Sequence, residues 1–386
     1  LRSKSVTENF QNIGDNSNQK SILIRSNTNY STISENWNGE FLYEINTKKQ
    51  ALYQESYIEV GPELGQFVWD DINGDQQIDE FFPELSLNEG VYLRQLLPSD
   101  ELFPVVDLKV RLRNEIKPFG FIEGDEGFNF FLHQISLKSR IDISENTTTN
   151  RLSDVYFIKL NTFRNEENTI QGRLAWEKEL DILPEYGRGE LAVRYNQIRS
   201  LNRRSSEVLT IYNEAIAIDG EFKLTNRVES TLLLSKSTYS SESNTLSSRN
   251  FDIHSYNIEP GLNATINRSW RTGFSFSYAD KSDRSSLSPI DAKIYKIRNS
   301  NRLFLFKKIQ ANSFLEIRSA RVNGESSSYG IFELTDGTGK GTNMLWSLGG
   351  NYRMSDLIRL NFTYDGRTVR DRPAIHTFKI VVNAIF

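Results

Sequence analysis

The chain has no cysteine, which excludes thiol catalysis, cysteine-based zinc sites and a disulfide framework. It also lacks long hydrophobic runs: only 38% of its residues are hydrophobic, the mean hydropathy is negative, and no run approaches the roughly 18 apolar residues that a membrane helix needs. Charge of one sign is missing too, because 46 basic and 50 acidic residues leave a net charge of −4. This balance argues against a nucleic-acid partner.

Alternation of apolar and polar residues is present along most of the chain. In the segment 270–278 the even positions include Trp270, Phe274, Phe276 and Tyr278, whereas the odd positions carry Arg, Gly and Ser. Successive side chains of a strand point to opposite faces, so such a segment has one apolar and one polar face. Aromatic residues are plentiful, with 24 Phe, 16 Tyr and 5 Trp, as the interfacial girdles of a membrane barrel require. A soluble sandwich would alternate too, but it would not need so many charges on its polar face.

The connections between these strands alternate between short and long. This asymmetry is typical of outer-membrane barrels, which have short periplasmic turns and long extracellular loops. We therefore predict an all-β fold: a transmembrane antiparallel up-and-down β-barrel of about sixteen strands, with fourteen as the other count that the pattern allows. The expected parts are a periplasmic N-terminal segment (1–19) and the barrel (20–386), which includes a long extracellular loop (61–104).

Three local expectations belong to this prediction. Segments 36–46 and 50–60 are expected as two strands joined by a tight turn at 47–50, and 131–143 is expected as another strand. The last strand ends on Phe386, an aromatic residue of the kind that ends bacterial outer-membrane barrels. No Met or signal peptide opens the chain, so we expect a C-terminal portion of a longer protein.

The most specific local motif is an acidic stretch within the 61–104 loop. Oxygen-bearing side chains recur there at Asp71, Asn73, Asp75, Asp79 and Glu80. Ca²⁺ takes 6–8 oxygen ligands, and the spacing resembles the calcium loops of EF-hand, dockerin and thrombospondin-repeat proteins. It differs from the EF-hand at the sixth and twelfth positions, which are Gln and Phe here. We expect a structural Ca²⁺ site, with a solvated acidic turn as the other reading.

Catalytic residues are hardly indicated. The three histidines, His133, His254 and His376, are far apart in the sequence. The pair His254-Ser255 suggests an outer-membrane lipid hydrolase, but no third residue or family motif accompanies it. A histidine within an aromatic girdle is the simpler interpretation, so the site prediction contains no catalytic residue and no cofactor besides Ca²⁺.

The polar face of the predicted strands carries both signs of charge in near balance, which favours a lattice of cross-strand ion pairs or a mildly selective channel. The acidic members are Asp107, Glu115, Asp142, Glu177, Glu179, Glu190, Asp219, Glu221, Glu259 and Asp365. The basic members are Lys109, Arg111, Arg113, Lys138, Arg140, Arg173, Arg194, Lys223, Arg271, Arg353 and Arg359.

Segment 57–118 resembles large outer-membrane proteins of the Bacteroidota. The resemblance rests on Tyr57-Ile58-Glu59-Val60-Gly61-Pro62, on the segment from Gly65 to Asp75, on Asp79-Glu80-Phe81 and on Pro98-Ser99-Asp100-Glu101. The family includes giant barrels such as the type 9 secretion translocon, so the resemblance implies protein export or envelope assembly as one role.

The sequence as a whole predicts a non-enzymatic integral outer-membrane protein, acting as a pore or as the membrane-embedded subunit of an envelope transport or assembly complex. A lipid hydrolase and a surface attachment protein are the alternatives. The expected partners are outer-membrane lipid, lipopolysaccharide and, in a complex, other envelope proteins.

Overall fold

The structure is a computed structural model. It describes residues 2–4, 19–21, 23–32, 36–62, 64–70, 80–83, 90–120, 127–148, 164–182, 188–285, 290–305, 308–324, 328–355, 357–368 and 373–384. Within these residues no helix has the length and apolar character to span a membrane.

Nineteen strands and three short helices make up the described chain. The strands are β1 Arg2–Lys4, β2 Gln19–Ser21, β3 Leu23–Ser31, β4 Trp37–Glu59, β5 Phe67–Asp70, β6 Glu80–Pro83, β7 Tyr92–Ile116, β8 Ser136–Thr147, β9 Thr169–Asp181, β10 Gly189–Arg203, β11 Val208–Lys223, β12 Val228–Ser243, β13 Phe251–Asn267, β14 Trp270–Asp283, β15 Ile290–Leu305, β16 Ile309–Asn323, β17 Gly341–Arg353, β18 Ile358–Thr368 and β19 Ile375–Ala384. The helices are α1 Gly127–His133, a 3-10 helix Ser247–Arg249 and α2 Ser328–Leu334.

One antiparallel sheet, β3 to β19, curls into a barrel. Its wall is formed by β3, β4 and β7 to β19, in which each strand pairs with the next along the chain. The β5–β6 hairpin is inserted between β4 and β7 and pairs with the first residue of β7. The predicted all-β, up-and-down barrel is confirmed, and the described wall has fifteen strands where about sixteen were predicted.

The outer face of the wall is a belt of exposed apolar side chains. Strand alternation places them on the face opposite to the charged residues. Its large exposed members include Ile216, Ile218, Leu232, Ile258, Leu262, Phe274, Phe276, Ile297, Leu315, Ile317, Leu348, Phe378, Ile380 and Val382. Apolar side chains on the outside and charged ones on the inside are the arrangement that lipid requires of a barrel.

Aromatic rings cover glycines on this outer face. Trp346 is the direct cross-strand partner of Gly366, and Phe362 is that of Gly350. A Cβ added at either glycine would collide with the partner's ring. Aromatic residues that lie over glycines in this way fill the gap left by the missing side chain and fix the register between strands.

The N-terminal part of the barrel differs from the expected strands. Residues 47–50 do not form a turn, because they continue β4 and pair with 103–106 of β7. Residues 92–104 of the expected loop belong to β7, and the expected strand at 131–143 begins with the helix α1. Since 37–59 is one strand, β1, β2 and the start of β3 lie at the end of the barrel that carries the long loops.

The barrel has a seam between β19 and β3. The wall contains an odd number of strands in antiparallel succession, so these two strands run in the same direction. Both strands are exposed along nearly their whole length.

Candidate functional site

The inner face of the barrel brings the predicted charges together. The strand registers place Arg113 opposite Arg140, Arg140 opposite Glu177, and Glu177 opposite Asn196, all on one face. Followed around the wall, the same registers put every acidic and basic residue of the predicted polar face on the inside of the barrel. The interior is therefore charged from one end to the other.

Across β8 to β11 these charges form a continuous lattice. Lys138 Nζ lies 2.7 Å from Asp181 Oδ2 and 3.1 Å from Glu179 Oε1. Arg194 continues the row, with Nε 2.9 Å from Glu179 and Nη1 2.5 Å from Asp219. A second row joins Arg111, Asp142, Arg140 and Glu177. Opposite charges on neighbouring strands stabilise the sheet, and here they neutralise one wall of the interior.

A two-stranded arm rises from the barrel at the long-loop end. β3 pairs with β4 only over 38–46, and β8 pairs with β7 only over 106–116. Residues 47–59 and 92–105 therefore pair mainly with each other and extend beyond the wall, with a single backbone bridge from Tyr53 to Arg204 and the pairing of Tyr92 with Phe67. We call these residues the arm. Its tip continues into the β5–β6 hairpin.

The arm is fastened to the far rim by a ring of four alternating charges. Glu55 of the arm accepts hydrogen bonds from Arg204 and from Arg249 Nη2, the latter at 2.8 Å. Glu207 accepts from the same two arginines, each at 2.8 Å. The side chains of Glu207 and Arg249 are 4% and 7% exposed, so the ring is almost closed to water.

Neighbouring groups complete the ring's hydrogen bonds. Ser243 Oγ donates to Glu207 Oε1 at 2.7 Å, and Tyr57 Oη donates to Glu55 Oε2 at 3.0 Å. Burial alone would raise the pKa of Glu55, but the hydrogen bond and charge of Arg249, with the charges of Arg204 and Arg94, hold this pKa below its ordinary value. Glu55 is therefore ionised at neutral pH, as the ring requires.

Helix α2 joins the same assembly from another sector of the rim. The Arg249 guanidinium lies 5.5 Å from the centre of the Tyr329 ring at the start of α2. Leu334 at its end is fully buried against Phe251, Ile253 and Ile290. α2 also contacts β6 at the tip of the arm. The arm thus touches loops that rise from separate parts of the wall, so it bridges the mouth.

The predicted calcium ligands lie mostly outside the described residues. Asp71, Asn73, Asp75 and Asp79 belong to the connection 71–79, and of Glu80 only the backbone is described, as the residue paired with Asp70. Across the described ranges, no group of three or more His, Asp or Glu side chains is arranged to hold a metal ion. The calcium site stays a prediction.

His254 and Ser255 do not act together, because they are adjacent in one strand and point to opposite faces. Ser255 faces inwards between Ser237 and Lys281. His254 lies on the outer face, with Nδ1 3.2 Å from Thr238 Oγ1 and Nε2 3.3 Å from Asp252 Oδ2. Asp252, His254 and Thr238 thus follow the order of a catalytic triad, which is carboxylate, imidazole and hydroxyl. The hydroxyl belongs to Thr238 and not to Ser255, the residue that the sequence suggested.

The other two histidines are not close to this group. His376 is on the outer face of β19, stacked on Tyr364 at 5.9 Å, and its Nδ1 lies 2.9 Å from the tyrosine hydroxyl. His133 ends helix α1. His376 thus lies between the rings of Tyr364 and Trp346.

Two groups of residues were not identified by the sequence analysis. The ring residues are far apart in the chain, and only the arm's reach brings Glu55 to Arg204 and Arg249. Arg298 and Arg302 of β15 lie on the inner face, opposite Ser275 and Arg271. Their even spacing was a usable signal, but Ile294 and Ile297 make both faces of β15 partly apolar and obscure which face is polar.

Comparison with known proteins gives likeness to solved structures. No family model and no curated protein sequence matches the chain. A loop-deletion mutant of OmpT, an outer-membrane protein of Vibrio cholerae, is 8% identical, with 90% of this chain and 99% of that one covered and a TM-score of 0.36. CdiB of Acinetobacter baumannii is 10% identical, with 86% of this chain and 59% of that one covered and a TM-score of 0.39. The outer-membrane channel DcaP of the same species is 9% identical, with 88% of this chain and 96% of that one covered and a TM-score of 0.34.

The strand arrangement itself decides the fold. Antiparallel neighbours in chain order, an apolar outer belt and a charged interior occur together in this wall. The chain is an outer-membrane-type β-barrel. Such barrels lie in the bacterial outer membrane, with the belt in contact with lipid.

Proposed function

We propose that this outer-membrane barrel is a pore for hydrophilic solutes whose long-loop mouth is bridged by the arm. The observation that carries the proposal is the charged interior, which extends along the whole wall from the arm to the short turns. A barrel of this many strands is wide enough for an aqueous channel. Charged side chains lining it keep water and ions inside.

The orientation belongs to the same proposal. The end of the barrel that carries the arm faces the outside of the cell, and the short turns at 224–227 and 268–269 face the periplasm. This is the usual asymmetry of such barrels. A surface protease added to intact cells is expected to cut in 284–289 or 324–340 and to spare 224–227. The reverse pattern contradicts the orientation.

Conductance in planar lipid bilayers tests the pore. The purified, folded barrel is expected to give discrete conductance steps, and heat-unfolded protein at the same concentration is the control. A folded barrel that gives no steps, even after the arm has been released by the substitution Arg249→Met, refutes the pore. In that case the remaining hypothesis is that the barrel is the membrane-embedded subunit of an envelope transport or assembly complex. A pull-down from native membranes identifies its partners.

A lipid hydrolase is the second candidate, and the outer-face group of Asp252, His254 and Thr238 favours it. His254 is placed to take a proton from the Thr238 hydroxyl while Asp252 orients the ring. Release of fatty acid from phospholipid vesicles is the assay. Activity that is lost in Thr238→Val and in His254→Ala, but kept in the matched outer-face variant His376→Ala, supports the hydrolase. If the unmodified protein releases no fatty acid, the hydrolase hypothesis is refuted.

A further inference from the structure

The interior charges are sorted between the two sides of the barrel. On β8 to β10 the inward Lys138, Arg140 and Arg194 each have acidic partners within 4 Å. On β14 and β15, near the short turns, Arg271 and Arg302 have no acidic partner in the part of the chain that the structure describes. One side of the interior is therefore neutralised and the other keeps positive charge.

Arg271 and Arg302 are direct cross-strand partners. Residues opposite each other on one face have Cβ atoms about 4.5–5.5 Å apart, and like charges in such pairs destabilise the sheet. The same row continues to Thr265 on one side and Asn312 on the other, neither of which is charged. The Arg302 guanidinium lies 5.0 Å from the Phe304 ring centre, so its contact within the described residues is an aromatic ring and not a carboxylate.

Above this pair is a recess lined by hydrogen-bonding groups. Gly273 forms its floor, and a Cβ there would lie 2.7 Å from Asn263 Oδ1 and 2.9 Å from Ser300 Oγ. The missing side chain leaves room for a solute to approach the amide and the hydroxyl. Lys223 and Arg227 line the recess from the neighbouring hairpin.

Two further charges near the recess matter for its sign. Arg298 lines the recess as well, but its Nη1 forms an ion pair with Glu316 Oε2 at 3.5 Å. The Arg298 guanidinium also lies 4.4 Å from the centre of the Phe314 ring. Glu229 is the acidic side chain in the lining. Against this carboxylate stand Lys223, Arg227 and the unpaired arginine couple, so the recess remains basic.

We propose that this recess binds oxyanions, such as the phosphate or carboxylate groups of small solutes, and makes the pore anion-selective. The inference rests on the proposed pore for its functional meaning, while binding itself does not require conduction. Guanidinium groups bind such oxygens through two parallel hydrogen bonds. A bound oxyanion between Arg271 and Arg302 also removes the repulsion within the pair.

Reversal potentials in a KCl gradient across a planar bilayer test the selectivity. The unmodified barrel is expected to prefer chloride over potassium. Unit charges roughly 8 Å apart in water interact by about RT, and an arginine attracts chloride and repels potassium by this amount, so each of Arg271→Gln and Arg302→Gln is expected to lower the preference roughly sixfold. Arg113→Gln is the matched control, because it removes the same charge at the same end from an arginine whose Nη1 lies 3.8 Å from Glu40 Oε2. This control changes the lumen charge by the same amount at another place on the wall, so it is expected to lower the preference less than either recess variant.

Inorganic phosphate is the binding probe. Phosphate is titrated into the folded barrel in detergent, and the heat of binding is measured by calorimetry. Binding is expected to be lost in the Arg271→Gln/Arg302→Gln variant and kept in Arg113→Gln. The electrophoretic shift between folded and heated protein establishes that each variant is folded. If the neutral variant does not fold, Arg271→Lys/Arg302→Lys is used instead, because it keeps both charges and removes the guanidinium groups.

The outcomes separate this inference from the pore. Conductance without anion preference and without phosphate binding overturns the recess and leaves the pore. Phosphate binding without conductance overturns the pore and leaves the recess. An equal loss of preference in Arg113→Gln overturns the assignment to this recess, because the effect then comes from total charge.

Discussion

Releasing the arm by the substitution Arg249→Met is the sharpest test of the ring. This change removes the guanidinium that donates to both Glu55 and Glu207 and leaves a side chain of similar length. Glu207 keeps its hydrogen bonds from Arg204 and Ser243, and Glu55 keeps its hydrogen bonds from Arg204, Tyr57 and Arg94. Both carboxylates remain buried with less compensation than before.

The magnitude follows from burial. Breaking a buried ion pair by removing one partner costs about 3–5 kcal/mol, because the remaining charge is left poorly compensated. Arg249 is 7% exposed and Glu207 is 4% exposed, so little solvent screening reduces this cost. Taking about 3 kcal/mol, the equilibrium between docked and released arm shifts by roughly a hundredfold toward the released state.

Hydrogen exchange of the arm, followed by mass spectrometry, measures this shift. Peptides within 47–59 and 92–105 are expected to exchange faster in Arg249→Met, while peptides of β13 to β16 keep their rates. Arg25→Met is the control. Arg25 is 65% exposed and its partner Glu44 is 3.6 Å away, so that pair is worth at most about 1 kcal/mol. Equal exchange in the unmodified protein and in Arg249→Met refutes the view that the ring holds the arm.

Three further predictions follow from other parts of the barrel. Gly366→Val forces the Trp346 ring away and is expected to destabilise the barrel by about 1–3 kcal/mol, seen as a lower temperature of the electrophoretic mobility shift; Gly349→Ala, whose added Cβ lies 3.9 Å from the nearest atom, is expected to leave that temperature unchanged. Millimolar Ca²⁺ is expected to protect 71–80 from proteolysis in the unmodified protein but not in Asp75→Asn, and unchanged cleavage of the unmodified protein contradicts a calcium site. The lowered pKa of Glu55 means that its contribution to docking of the arm is fully present above its ordinary value of 4.5 and is lost as the pH falls through the lowered pKa. Exchange of the arm is therefore expected to keep the same protection between pH 8 and 5 and to lose it only below 4.5, whereas loss of protection above pH 5 contradicts a lowered pKa.

The wall of the barrel could be predicted from the sequence because its signal is local. A period of two, repeated along each strand, determines which side chains face lipid and which face the interior. The predicted inner residues from Asp107 to Arg359 all lie on the inner face. Their placement needs only the strand phase, and a small error in strand ends does not change that phase.

The arm could not be predicted, because its cause is not local. Thr47-Lys48-Lys49-Gln50 is polar enough for a turn, and the even strand number of bacterial barrels favoured one there. In the structure Lys48 is paired with Asp107, 2.9 Å away on β7, so the polar stretch is satisfied within a continuing strand. The ring at Glu55 depends in turn on this extension.

The seam between β3 and β19 sets how the barrel forms. Every other pair of neighbouring wall strands except β4 and β7 is joined by one connection along the chain, so its two members can meet as a hairpin. The seam alone brings together residues 23–31 and 375–384, which lie near opposite ends of the sequence. Such a contact bears the largest entropy of loop closure, so it forms last during folding. A covalent link across β3 and β19 would close a loop of almost the whole barrel, so it would remove this entropy from the unfolded chain and stabilise the wall.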